Sequence, residues 1–412
     1  MTKQAAVLSL LVVSAIAFAA TVPPTEGSAQ DGSPAWHLQP GFPDPTGRTI
    51  VDDQGHVTVH PAVRSGGRGA AEATPAEAIP GCSHSTLCGH RGGPSRQATM
   101  RVVWSENLGY TFSYAYRLPP GDGGVPGVAM DSKGNLWVLK RSPAGSPQLF
   151  KFDNNYKIIL TVGDDVIGHQ EKAHGVTVDA HDNVWFTDAS RATVMKVSPE
   201  GKLLATIGTK DKRGDWNEAK GQRLLWQPCS LAFGANGDVY IGEGHANESP
   251  NDVDSDDPRN NIGAARVIHL DKDGNFVNQW FGDEVGQGKF DSVHGIAVDP
   301  RTGDVWLGDR EQYRIVIYNA DGKFLRTLQM RNLVCAIAFD PQGNPWIGSG
   351  QDGQILKIDR NGKVLGAIGR GMGIEAGQFI EAGFFQFDKQ SNIYIGDTSV
   401  GRVANISPPA GK

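Results

Sequence analysis

Four residues of metal-binding type open copies of a repeated segment. His174 and His294 each begin a copy, and Cys229 and Cys335 begin two others. Imidazole nitrogen and thiolate sulfur are ligands that zinc prefers, so these side chains could hold a zinc ion if the fold brings them to one depth of a channel. Simpler roles stay open: the histidines could be polar lining that binds channel water, and the cysteines could be buried packing or a disulfide.

Two arginines occupy a second set of equivalent positions. Arg141 and Arg310 follow the second strand of their copies and stand three copies apart. If the copies form a ring, the two guanidinium groups face each other across its mouth, where such groups can bind a carboxylate through paired hydrogen bonds. The pattern therefore predicts a metal site beneath an anion-binding site.

These positions depend on a strand–turn–strand unit that occurs six times after residue 100. In each copy a short apolar strand is followed by a tight turn and by a second strand with an aromatic or branched core. The copies are PGVAMDSKGNLWVLKR at 126–141, HGVTVDAHDNVWFTDA at 174–189, CSLAFGANGDVYIGEG at 229–244, HGIAVDPRTGDVWLGDR at 294–310, CAIAFDPQGNPWIGSG at 335–350 and GFFQFDKQSNIYIGDT at 383–398. The mean period of about 50 residues leaves room for two more strands in each unit.

The repeat predicts an all-β fold, a six-bladed β-propeller over residues 101–408. The 53 glycines among 412 residues argue against a helix bundle or coiled coil. The last unit shows three clear strands, and the segment YTFSYAYRL at 110–118 precedes the first copy. We expect this segment to pair with the last blade and to close the ring.

Acidic residues recur after the second strand of several copies. Asp188, Asp309, Asp397 and Glu243 are aligned there. A catalytic acid would not be repeated at one position of every unit, so we expect turn-stabilising or ion-pair roles. The arginines that follow two of these residues, Arg314 and Arg402, are the expected ion partners.

The N-terminus has the pattern of an export signal. Lys3 precedes an apolar run over residues 5–20, which ends near a small-residue Ala-Phe-Ala pattern. We expect residues 1–20 to be a cleaved signal peptide and the product to be periplasmic or secreted. Residues 21–100 are rich in Pro, Gly and Ser, which predicts a poorly ordered extension. Within it, Cys82 and Cys88 indicate a local disulfide, and a metal clip with neighbouring histidines is the alternative.

The charge balance limits the expected partners. A net charge of −6 lacks the broad cationic field that nonspecific binding of nucleic acid or anionic membranes requires. We therefore expect no nucleic-acid partner. The other expectations are a small-molecule or peptide substrate, no membrane insertion after signal cleavage, and a monomer.

The copies resemble NHL-type repeats, and residues 120–405 are similar to the lyase domain of the peptidylglycine amidating enzymes, the peptidyl-α-hydroxyglycine α-amidating (peptidylamidoglycolate) lyases. The similarity lies in KAHGVTVDAHDNVWFTD, SVHGIAVDPRTGDVWLGDRE and WVLKR. It implies that His174 and His294 are two of three zinc ligands. It also implies that Arg141 and Arg310 bind the substrate.

Three positions depart from that family. Gly383 stands in place of the third zinc histidine, and Phe384 in place of an aspartate that helps to bind the family's structural calcium. His245 in GEGHANE stands in place of the catalytic tyrosine, and we expect it to act as the base. The resemblance implies zinc as the cofactor and leaves calcium possible. Cys229, Cys335 or Glu381 is expected to supply the missing zinc ligand.

The resemblance implies a metal-dependent lyase that cleaves a peptidyl α-hydroxyglycine, or a similar α-hydroxy amide, into an amide and glyoxylate. Two alternatives stay open. A gluconolactonase-like propeller hydrolase would bind its cation through Glu, Asn and Asp, whereas the ring here offers His and Cys. A non-enzymatic NHL-repeat binding protein would need neither metal nor arginine pair.

Overall fold

A computed structural model describes most of the repeated region. The described residues are 48–51, 57–60, 108, 110–118, 123–170, 172–245, 265–285, 289–330, 333–350, 353–369, 377–379, 381–398 and 401–409. The predicted signal peptide over residues 1–20 and the pair Cys82 and Cys88 lie outside them. Among the helices described, none has the length and apolar character needed to cross a membrane.

The described chain consists mostly of short strands. The first fifteen are β1 (Arg48–Val51), β2 (Val57–His60), β3 (Thr111–Arg117), β4 (Gly127–Met130), β5 (Leu136–Leu139), β6 (Leu149–Phe152), β7 (Ile158–Val162), β8 (Ala173–Val178), β9 (Val184–Asp188), β10 (Thr193–Val197), β11 (Leu203–Gly208), β12 (Trp216–Asn217), β13 (Gln222–Arg223), β14 (Pro228–Phe233) and β15 (Val239–Glu243). The others are β16 (Arg266–Leu270), β17 (Phe276–Trp280), β18 (Val293–Val298), β19 (Val305–Asp309), β20 (Arg314–Tyr318), β21 (Phe324–Gln329), β22 (Val334–Phe339), β23 (Pro345–Ser349), β24 (Gln354–Ile358), β25 (Val364–Ile368), β26 (Ala382–Phe387), β27 (Ile393–Asp397) and β28 (Arg402–Ser407). A short helix α1 (Asp164–Ile167) and 3-10 turns at Glu218–Lys220, Asp283–Val285 and Arg310–Gln312 connect them.

The strands form a β-propeller-like arrangement. Four separate four-stranded antiparallel sheets contain β8–β11, β14–β17, β18–β21 and β22–β25. The first strands β4, β8, β14, β18, β22 and β26 each contact the next in this order, and β26 contacts β4. These six strands therefore form a closed ring around a central axis. His174 and His294 each stand near the start of one of these strands.

The prediction of six separate blades is wrong in one respect. The first and last copies share a single eight-stranded sheet, in the order β3-β28-β27-β26-β4-β5-β6-β7. Its two halves are joined by one parallel bridge, between Phe384 and Gly127. The expected closing strand is confirmed, because β3 pairs antiparallel with β28 along its length.

Gly383 permits a close contact between these two copies. A Cβ atom at this position would lie 2.4 Å from the carbonyl oxygen of Pro126. Because glycine lacks that atom, β26 approaches β4 closely enough for the Phe384 N–H to donate to the Pro126 carbonyl at 2.8 Å. The residue that the resemblance places at the third zinc histidine thus lies at the junction of the first and last copies.

The extension contains a regular element that the sequence does not predict. Strands β1 and β2 form an antiparallel pair, with Arg48 opposite His60 and Val51 opposite Val57. Both strands are rich in β-branched residues, and Gly55 lies between them in the sequence. These β-branched residues could have predicted two strands, although the Pro, Gly and Ser content of the whole extension predicts poor order.

A repeated polar network stabilises the turn between the first and second strands of a copy. In the second copy, Asp179 accepts hydrogen bonds from the backbone and side-chain N–H groups of Asn183 and from the indole N–H of Trp185. Lys196 lies 3.2 Å from the same carboxylate and covers the Trp185 ring. An equivalent network surrounds Asp340 in the fifth copy. In these two copies the network fixes the register of the hairpin formed by the first and second strands.

The predicted ion pairs of the aligned acids are confirmed for two copies. Nη2 of Arg314 lies 2.7 Å from Oδ2 of Asp309, and Nη2 of Arg402 lies 2.7 Å from Oδ2 of Asp397. Asp309 also accepts hydrogen bonds from the backbone N–H groups of Asp291 and Ser292. The pair therefore holds the segment that leads directly into His294 on β18.

Replacing Asp309 with alanine is expected to lower the free energy of unfolding by about 3–5 kcal/mol, because Arg314 would remain buried without its carboxylate. Arg314 is 2% exposed in the pair. Guanidinium-induced unfolding followed by tryptophan fluorescence measures this change. Asp273→Ala is the control, since its pair with Lys272 is exposed at the surface. Equal unfolding midpoints for the two variants would contradict a stabilising role for the buried pair.

Candidate metal centre

Three histidines meet at one end of the central channel. His174 lies on β8, His294 lies on β18, and His245 follows the end of β15 by two residues. All three are buried, and one ring nitrogen of each lies within 4.8 Å of those of the other two. The ring centroids of His174 and His294 are 4.5 Å apart, and His245 lies 5.0 and 5.5 Å from them. Three imidazoles are the protein ligands of many catalytic zinc sites.

Backbone carbonyls orient two of these rings. The Nδ1 atom of His174 lies 2.9 Å from the carbonyl oxygen of Cys229, and Nδ1 of His294 lies 2.7 Å from that of Cys335. A neutral ring donates its Nδ1–H to the carbonyl and so keeps the lone pair on Nε2. This support is typical of metal-bound histidines, because it fixes both the tautomer and the ring plane.

Burial keeps the two rings neutral. It lowers the pKa of His174 well below its ordinary value, and the nearby charges of Arg141, Lys172 and Arg310 lower it further. Burial and the charge of Arg310 have the same effect on the pKa of His294. Neutral imidazole is the form that binds a metal ion.

The cysteines serve this site through their backbone. Within the part of the chain that the structure describes, the cluster of three possible ligands contains histidines alone. The thiol of Cys229 donates to the carbonyl of Gln227 at 3.5 Å, and Cys229 and Cys335 are both buried and form no disulfide. The alternative of a disulfide between them is therefore wrong. Their assignment as metal ligands stays a prediction that the cluster does not support.

Phe384 covers the histidine cluster. Its ring stacks on His294 with centroids 5.7 Å apart and meets His174 edge-on at 5.6 Å. The resemblance places a calcium-binding aspartate at this position, and a phenyl ring offers no oxygen ligand. The position instead supplies an apolar wall that limits water access to the histidines.

Both predicted arginines lie close to the histidines. The Nε–H of Arg141 donates to the carbonyl of Ala173 at 2.9 Å, next to His174. Arg310 is fully buried and its Nη2 lies 3.1 Å from Oε1 of Glu381. The expected proximity of arginines and histidines is thus present, whereas the pairing of Arg310 with Glu381 was not foreseen.

A small cavity lies between these groups. Its walls include Arg141, His174, His294, Glu381 and Phe384. Its volume of ≈ 10 Å³ is about what one water molecule needs. A substrate larger than water therefore requires side chains to move before it can reach the histidines.

His245 is the cluster member whose place the sequence did not predict. It was expected to act as the base on a substrate held at the metal, and the structure places it beside His174 and His294. In the aligned copies Gly244 corresponds to Arg310, so His245 stands one position beyond a predicted site residue. This position next to an aligned site residue is the sequence feature that could have indicated a third histidine in the cluster. The role of His245 as base stays a prediction.

Comparisons with known proteins agree with the resemblance. No family model matches the chain. Peptidylglycine alpha-amidating monooxygenase of Rattus norvegicus is 26% identical over 273 residues, which cover 57% of this chain and 25% of that protein. Peptidyl-alpha-hydroxyglycine alpha-amidating lyase 1 of Drosophila melanogaster is 27% identical over 168 residues, which cover 37% of this chain and 26% of that protein. A probable lyase of the same name in Caenorhabditis elegans is 23% identical over 211 residues, covering 50% and 51%.

Two solved structures are similar in fold. A streptogramin B lyase has 14% sequence identity and a TM-score of 0.49, with 74% of this chain and 100% of that chain covered. A gluconolactonase from Xanthomonas campestris has 15% identity and a TM-score of 0.49, with 72% and 89% covered. The chain spans between a quarter and about half of the length of the curated relatives above. At this modest identity, the chain has a family resemblance to the peptidylglycine amidating monooxygenases and the peptidyl-α-hydroxyglycine amidating lyases.

Proposed function

We propose that the chain is a metal-dependent lyase that cleaves a peptidyl α-hydroxyglycine, or a similar α-hydroxy amide, into an amide and glyoxylate. The observation that carries this proposal is the buried cluster of His174, His245 and His294. The resemblance to the amidating lyases supports the reaction class. The imidazole donors favour this reading over a lactonase-like hydrolase, whose cation would need carboxylate and amide oxygens.

The cluster fits a zinc ion by its donor chemistry. His174, His245 and His294 would hold the ion, and a fourth position would stay open for a substrate oxygen. A bound zinc ion supplies Lewis-acid polarisation of that oxygen. A ring nitrogen that binds the ion cannot also accept a proton. We therefore place His245 among the ligands in preference to its expected role as base.

The arginines supply the binding of the substrate carboxylate. The charges of Arg141 and Arg310 lie close enough to His174 to lower its pKa. A carboxylate held there would point the neighbouring α-carbon toward the histidines. In the reaction the hydroxyl proton passes to water, and the hydroxyl oxygen becomes the aldehyde oxygen of glyoxylate. The C–N bond breaks, and the nitrogen takes a proton and becomes the amide.

The proposal includes architecture and location. We count the two halves of the eight-stranded sheet as separate blades, since the ring of first strands has six members. This count gives a six-bladed NHL-like propeller. Export to the periplasm or outside the cell, with removal of residues 1–20, completes the proposal.

A synthetic peptide that ends in α-hydroxyglycine tests the activity directly. The zinc-loaded chain is expected to release glyoxylate, measured by a coupled assay, well above the rate of spontaneous breakdown. Arg310→Ala is expected to lower kcat/KM by about 100-fold, since it removes a charge-assisted contact to the carboxylate. The control is Arg326→Ala, because Arg326 lies at the surface and donates to the carbonyl of Arg360. Wild-type release no faster than that of a His174→Ala variant incubated with the same zinc concentration would refute the lyase proposal.

A further inference from the structure

A carboxylate of the chain itself already binds Arg310. Nη2 of Arg310 donates to Oε1 of Glu381 at 3.1 Å, and the two side chains are 0% and 6% exposed. Arg310 follows β19, whereas Glu381 immediately precedes β26, so the contact joins two different copies of the repeat. A buried charge-assisted contact of this kind is strong, because water does not screen it.

The backbone holds Glu381 in place on both sides. Its N–H donates to Oδ1 of Asp397 at 3.4 Å, and its carbonyl accepts from the N–H of Thr398 at 3.1 Å. Asp397 is itself paired with Arg402. The side chain of Glu381 is therefore presented to the cavity by a fixed segment, and its placement does not depend on Arg310 alone.

The cavity next to Glu381 is small, and Arg310 is not among the residues that line it. Glu381, Arg141, His174 and His294 share its walls, and its volume of ≈ 10 Å³ is about that of one water site. Because Glu381 lines the cavity and its Oε1 accepts from Nη2 of Arg310, a ligand carboxylate that enters from this cavity reaches that nitrogen only if the Glu381 carboxylate moves aside. The peptidyl part of a substrate can supply the binding energy for this exchange. A small carboxylate makes few other contacts and therefore supplies little of that binding energy.

We propose that Glu381 occupies the carboxylate subsite at Arg310 and that an anionic ligand binds there by displacing it. The identity of the substrate rests on the proposed function, but the competition does not. Glu381 then sets specificity, because it weakens the binding of small free carboxylates relative to ligands that carry a peptide. It also favours release of the carboxylate product, since Glu381 returns to Arg310 when the product leaves.

Binding of glycolate, a small α-hydroxy carboxylate, tests the proposal by calorimetry on the zinc-loaded chain. Glu381→Gln is expected to bind glycolate roughly 10-fold more tightly than wild type. Glu381→Asp is expected to tighten binding as well, since it keeps the charge but is one methylene too short for Arg310. Glu200→Gln is the matched control, because Glu200 is exposed and its replacement changes the net charge equally. Its glycolate affinity is expected to equal that of wild type.

Three results would overturn the proposal. Equal or weaker glycolate binding by Glu381→Gln would mean that no competition exists. Tightening in Glu381→Gln but not in Glu381→Asp would assign the effect to net charge. Loss of zinc from folded Glu381→Gln would make Glu381 a metal ligand instead. Tighter glycolate binding in both variants, together with no glyoxylate release by wild type, would refute the lyase function and leave the competition standing.

Discussion

Replacing His294 with alanine is expected to strip zinc from the chain and to abolish glyoxylate release. His294 is buried, its Nδ1 is fixed by the Cys335 carbonyl, and its ring lies nearest to His174. Loss of an outer partner of a metal ligand typically costs 10–100-fold in metal affinity, so loss of the ligand itself should cost more than about 100-fold. Zinc content after dialysis and competition with a fluorescent chelator measure the effect without reference to activity.

Cys335→Ser is the matched variant for this prediction. Cys335 and His294 lie on neighbouring first strands and share the hydrogen bond that orients the ring. Serine keeps the backbone carbonyl and removes the thiol, so we expect zinc content to stay at the wild-type level. If Cys335→Ser lost as much zinc as His294→Ala, the thiol would be a ligand and the all-histidine centre would be wrong.

Part of the site could be predicted because it follows the repeat. His174 and His294 open copies whose strands have a period of two, so their common depth follows from register alone. The ion pairs of Arg314 and Arg402 follow from the same alignment. Each ion pair lies within one copy, and the common depth of the two histidines follows from their equivalent positions in two copies. The pattern of one copy is therefore enough to predict both features.

The remaining features depend on contacts that no single copy encodes. His245 lies beyond the second strand of its copy and reaches the cluster from a position that carries no histidine in the other copies. Glu381 meets Arg310 across 71 residues of sequence. The close approach of β26 to the Pro126 carbonyl requires the absence of a side chain at Gly383, and a missing side chain leaves no hydrophobic pattern to recognise. Each of these required the three-dimensional arrangement of different copies.

The two roles assigned to His245 lead to opposite results for one substitution. If His245 binds the metal with His174 and His294, His245→Ala is expected to lower zinc affinity more than about 100-fold, as for His294. If it is instead the base, the variant keeps its zinc and loses turnover alone. We expect loss of zinc, because its ring nitrogen lies within 4.8 Å of those of the other two histidines.

His245→Tyr makes the same distinction with a side chain that the resemblance places at this position. A tyrosine there could restore a phenolic base, but it removes the third imidazole from the cluster. The chain has Gly383 where the family has its own third histidine, so no histidine of the sixth copy can replace the loss at that position. We therefore expect His245→Tyr to bind zinc as weakly as His245→Ala. Full zinc occupancy and faster glyoxylate release in the tyrosine variant would instead identify His245 as the base and return the third ligand to another side chain.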